Sequence, residues 1–211
     1  MHQSLLCAHT KTGSRGDELI HRVWDRTEAY PSVMPITPET KNWIWVLERP
    51  CTECGFDATS MDASSTGRLV RDNIEQWTSL LQHHAAAVRV SDDRWSALEY
   101  GCHVRDVFRL FDRRLRQMLT EDGAHFANWD QDATAVEENY LAQDVSIVSR
   151  ELAAAGATVA STFDAVRPDQ WQRTGFRSDG VAFTVERFAR YFIHDPIHHV
   201  ADVEQGYALL T

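Results

Sequence analysis

A chain of 211 residues is long enough for one domain with a sizeable core. Its 43% hydrophobic and 25% charged residues are ordinary for a globular protein, and its formal net charge of -10 argues against nucleic acid or an anionic membrane as the main partner. No run approaches the roughly 20 apolar residues that a bilayer span needs.

Residues 1–33 mix charge, glycine and polar side chains without periodicity, and Met34 is followed by Pro35-Ile-Thr-Pro-Glu-Thr-Lys-Asn-Trp43. A disordered arm or an over-extended start is expected there. The first residues lack the basic and apolar regions of a signal peptide. The four cysteines, Cys7, Cys51, Cys54 and Cys102, are too few and scattered for a disulfide scaffold, so a cytoplasmic protein is expected.

Residues 34–60 form a lead-in with Trp43, Trp45, Val46 and Leu47, an aromatic segment suited to covering a groove, and then Pro50-Cys-Thr-Glu-Cys-Gly-Phe56. Cys51-Thr-Glu-Cys54 has the spacing of half a zinc site or a redox pair. With no second such pair and no histidine nearby in sequence, it reads as a turn with free thiols. Cys102 reads as a small packing residue.

Residues 61–211 carry four amphipathic stripes. The first runs from about Ser65 to Val88 and includes Val70, Ile74, Trp77 and Leu81. The second, from about Ser96 to Thr120, begins with a capping box of Ser96 and Glu99. The third spans about Ala133 to Val166 and stops before Pro168. The fourth covers about Thr184 to Tyr207. Two loops join them, residues 121–132 and 167–183, with turns at Gly175 and Gly180. No strand pattern competes. The expected fold is all-α, a four-helix bundle with a long crossover between its second and third helices.

The last stripe contains His194-Asp-Pro-Ile-His-His-Val-Ala-Asp202, three histidines and two aspartates within nine positions. Imidazole and carboxylate bind divalent metals, and residues four apart share a helix face. At about 100° per residue, Asp195 and His199 fall at one edge of the apolar stripe with Asp202 beside them, while His194 and His198 fall on the far side. His103 sits at the margin of the second stripe. The favoured ligand set is therefore His103, Asp195 and His199. The rival pair, His194 with His198, has the better ligand chemistry, and Pro196 leaves the helical wheel undecided between them. Histidines on amphipathic helices are more often surface or hydrogen-bonded residues than ligands; His83 and His84, with no evident partners, illustrate this.

From about residue 60 to 205 the chain resembles the DinB-like superfamily, which includes mycothiol-dependent maleylpyruvate isomerases and bacillithiol or mycothiol S-transferases. The resemblance is carried by Tyr100-Gly-Cys-His-Val-Arg-Asp-Val107, the Trp129-Asp-Gln-Asp132 loop and His194-Asp-Pro-Ile-His-His-Val-Ala-Asp-Val203. It implies a bundle with one metal ligand from the second helix, at His103, and two from the last, at Asp195 and His199, with Asp202 three positions on. The chain departs from the pattern in carrying aspartate where relatives have histidine or glutamate. Zinc or nickel is the implied ion.

Only Lys11 and Lys41 are lysines among the basic residues. That bias suggests GC-rich coding and an actinobacterial source, in which mycothiol is the expected thiol. The implied function is a metal-dependent thiol S-transferase or isomerase, acting on a small-molecule electrophile and a low-molecular-weight thiol. A metal-dependent hydrolase and a non-catalytic metal- or ligand-binding bundle are the alternatives. Homodimers are common for such bundles.

Overall fold

Four of the helices in the computed structural model, which describes residues 36 and 41–210, bury the apolar stripes seen in the sequence against one another. They are α1 (Thr66–Leu80), α2 (Ala97–Thr120), α4 (Val145–Asp164) and α5 (Val185–Ala208); a short α3 (Gln131–Glu137) lies in the crossover between α2 and α4. Both α4 and α5 pack against α1 and α2. The order around the bundle is thus α1, α4, α2, α5, and helices consecutive in the chain, α1 and α2, stand at opposite corners. The expected arm at 1–33 lies outside the described residues.

The core is aromatic. Phe192 stacks on Phe163 at 5.4 Å and on Phe111 at 4.9 Å, and meets Phe108 edge-on at 6.0 Å. Trp77, Phe108, Phe188 and Phe192 are fully buried, each contributing roughly 1.5–3 kcal/mol or more of apolar transfer energy. At Gly156 of α4, an added Cβ would lie 2.7 Å from Ile74 Cδ1 and 2.9 Å from Phe108 Cε2, so only glycine allows α4 to approach this closely.

Three expectations need correction. The first helix ends at Leu80, not Val88. Its last α-type bond runs from the Leu81 amide to Trp77 O; the next amides turn back to Ser79 and Leu80, and Leu80 O also accepts from the Tyr207 hydroxyl at 2.8 Å. The chain then tucks Ala85 and Ala86 under α2, with Ala86 O accepting from the Leu98 amide.

The stretch from Ala133 to Val166 is broken as well. Asn139 adopts a left-handed φ of 46°, and Asp144 caps α4 by accepting from the Ile147 amide. The break lets Tyr140 bury its ring and donate its hydroxyl to Asp106 at 2.7 Å.

Finally, strands are present. β1 (Ala124–His125) pairs parallel with β2 (Thr174–Phe176), which pairs antiparallel with β3 (Ala182–Thr184). Strands of two or three residues show no period-2 signal. Gly175 lets them meet, since a Cβ there would sit 2.4 Å from Phe126 Cζ. The sheet ties the crossover to the loop before α5.

The lead-in forms a 3₁₀ turn, Trp43–Leu47, capped by Asn42 and packed on α5 with Val46 buried. Among the described residues, no helix is long and apolar enough to cross a membrane.

Candidate metal centre

The capping box at Ser96 and Glu99 starts α2; the Glu99 carboxylate also pairs with Arg89. Two turns further on, His103 projects inward, its ring stacked on Trp129 at 5.5 Å and tilted against Trp95 at the same centroid distance. Asp130, next to Trp129, caps α3 by accepting from the Asp132 and Ala133 amides, which anchors that part of the crossover.

On α5, Pro196 lies between the ligand candidates. Its carbonyl accepts from Asn73 Nδ2 at 3.0 Å and Trp77 Nε1 at 3.3 Å. Two side chains of α1 thereby fasten the helix where proline has removed one of its own hydrogen bonds.

The structure brings His103, Asp195 and His199 together. His103 Nε2 is 3.4 Å and His199 Nε2 is 3.9 Å from Asp195 Oδ1, and one donor atom from each residue lies within 4.8 Å of the others. Ligands at about 2.1 Å from a tetrahedral ion are about 3.4 Å apart, so these spacings suit a shared ion. Both ring nitrogens of His103 and Oδ1 of Asp195 are buried without a hydrogen-bond partner among the described residues. Leaving such atoms unmatched is costly, and a cation between them would satisfy His103 Nε2 and Asp195 Oδ1 together. The short aspartate side chain thus still brings a carboxylate oxygen beside both imidazoles.

His199 Nδ1 lies 2.9 Å from Asp202 Oδ2. A carboxylate accepts, so Nδ1 carries the proton and Nε2 presents its lone pair to the cluster. Burial raises the Asp195 carboxyl, but the neighbouring His103 and His199 rings outweigh it and hold the group below the usual carboxylate range. Asp202 behaves alike: His199 and His198 overcome the effect of burial.

His194 and His198 belong to another cluster. Their rings face the lead-in, with Cys51 Sγ 3.7 Å from His198 Nδ1 and Cys54 Sγ 3.8 Å from His194 Nε2. The reading of Cys51 and Cys54 as a turn lacking histidines is therefore half right. The turn exists, closed by the Gly55 amide donating to Cys51 O with Gly55 at φ 76°. The histidines arrive from α5, 140 and 147 positions away in the chain, a distance that spacing patterns do not register. Burial pushes His194 down to about 4 and Cys54 up to about 11.

His83 also has partners, its ring tilted against His84 at 4.4 Å and against Tyr207 at 4.1 Å. Cys102 is fully buried in the core.

Asp195 and His199 face a cavity of about 890 Å³, lined also by Tyr100, Trp129, Arg94 and Arg177. Aromatic faces and cationic donors thus share its wall with the ligand candidates.

The DinB superfamily model matches residues 19–203. The chain belongs to the DinB superfamily. Among solved structures, this DinB-superfamily chain is similar to YfiT from Bacillus subtilis, described as a probable metal-dependent hydrolase with an unusual four-helix bundle topology. The two share 14% identity at a TM-score of 0.57, over 82% of this chain and 93% of that one, a likeness of fold. No curated protein matches the sequence.

Proposed function

We propose that this DinB-superfamily protein is a metal-dependent thiol S-transferase or isomerase, using a polar low-molecular-weight thiol of the mycothiol type against a small electrophile. The observation that carries the reading is the convergence of His103, Asp195 and His199, the last two on the wall of a cavity of about 890 Å³. That volume is typical of sites for whole small molecules, far beyond the roughly 30 Å³ share of a single water.

A divalent ion here, zinc or nickel, would supply Lewis acidity that makes a coordinating thiol a thiolate at neutral pH. His103, Asp195 and His199 would hold it. Asp202 fixes the proton on His199 Nδ1 and so keeps Nε2 free to ligate. Trp129 and Trp95 flank the His103 ring and keep water from its faces. Arg94 and Arg177 offer donors to the hydroxyl or carboxyl groups of a polar thiol.

Metal-dependent hydrolysis is the second reading, favoured by the description of YfiT. The test uses untagged protein of known metal content, a panel of electrophiles and esters, and mycothiol present or omitted. Turnover that requires mycothiol and metal and is lost in His103→Ala is the expected result. Thiol-independent hydrolysis would favour the second reading, and equal rates in wild type and His103→Ala would reject both.

A further inference from the structure

The geometry points to a second metal site, in which Cys51, Cys54, His194 and His198 hold one structural zinc ion between the lead-in and α5. It is independent of the proposed catalytic reading and shares no ligand with it.

The donor set is two cysteines spaced by two residues and two histidines spaced by three, the C-x₂-C and H-x₃-H arrangement of closed zinc sites. One atom from each of the four residues lies within 4.8 Å of the others. For zinc–sulfur and zinc–nitrogen bonds of about 2.3 and 2.05 Å, a tetrahedral site separates sulfur from nitrogen by about 3.6 Å. The observed separations of 3.7 and 3.8 Å come close to that.

Orientation agrees with distance. His198 Nε2 is 3.6 Å from Asp202 Oδ2 and 3.7 Å from Glu53 Oε2. Both carboxylates lie on the Nε2 side of the ring, which favours a proton there, and Nδ1 is the ring nitrogen next to the Cys51 sulfur. Cys51, His194 and His198 are all buried, and Trp43 covers both rings at centroid distances of 5.2 and 4.7 Å. No open position remains for substrate, which marks the site as structural.

The lead-in has a reason to need an ion. Between residues 41 and 62 only Val46, Cys51 and Ala58 are fully buried, while Ile44, Leu47, Phe56 and Met61 pack against the core with part of their surface exposed, so an ion would add to a modest apolar anchor. On binding, two thiol protons pass to solvent and two zinc–sulfur bonds form.

The experiment uses full-length, untagged His103→Ala protein under reducing conditions, so that only this site is in question. Equilibrated with zinc and desalted, it is expected to retain about one ion per chain by elemental analysis. Cobalt in place of zinc is expected to give a sulfur-to-cobalt charge-transfer band, and Cys54→Ser in the same background to lose both ion and band. Should Cys54→Ser fail to fold, thiol alkylation of wild type decides: zinc is expected to block it and a chelator to restore it. Alkylation at the same rate with and without zinc, or cobalt bound without the charge-transfer band, overturns the proposal.

Discussion

Asp195 places a carboxylate oxygen near two imidazoles with no hydrogen bond to spend on either. Replacing it with alanine is expected to abolish metal retention at the His103 cluster while leaving the fold intact, as read by elemental analysis and circular dichroism. Asp202→Ala leaves the ligands in place but frees the His199 ring, and is expected to weaken binding there by about 10–100-fold in a calorimetric titration. Away from both clusters, Gly156→Ala drives a methyl into Ile74 and Phe108, with an expected cost of about 1–3 kcal/mol in urea unfolding. The grouping of Asp195 with His199, and of His194 with His198 on another face, could be read from the sequence, because four residues make about one helical turn. That Asp195 and His199 face His103 of α2 was anticipated from the stripe margins and the family resemblance. That His194 and His198 face the lead-in was not legible, because no local rule encodes a meeting of residues 140 and 147 positions apart.

The helical stripes survive as α1, α2, α4 and α5 because burial of Phe108, Phe188, Phe192 and their neighbours rewards a 3.6-residue period. The breaks at Leu80 and Asn139 were hidden, since each is stabilised by a distant partner, the Tyr207 hydroxyl in one case and Asp106 in the other. Asp106 joins α2 to the crossover. Burial raises its carboxyl, but Arg105, Tyr140 and Arg109 together hold it below the ordinary value of 3.8. A folded pKa below the unfolded one contributes stability that is fully present above the unfolded pKa and is lost as pH falls through the folded pKa. Asp106→Asn is therefore expected to flatten the loss of stability below about pH 4, measured as urea midpoints against pH. At the start of α2, Ser96→Ala removes the acceptor for the Glu99 amide and is expected to cost about 1 kcal/mol.

At the scale of the molecule, α5 joins the bundle to the lead-in and carries residues of both clusters. Ions bound only by the native state add stability by mass action, about 2.7 kcal/mol for each site at 100 times its Kd. Stripping metal with a chelator under reducing conditions is expected to lower the melting temperature, and zinc to restore it. In Cys54→Ser the chelator effect is expected to shrink to the part due to the His103 cluster. Asp202 Oδ2 stands between the two neighbourhoods, 2.9 Å from the His199 ring and 3.6 Å from the His198 ring. A single oxygen cannot polarise both imidazoles at full strength. Occupancy on either side is thus expected to blunt affinity on the other by a common factor, a negative heterotropic linkage that disappears when residue 202 is no longer acidic.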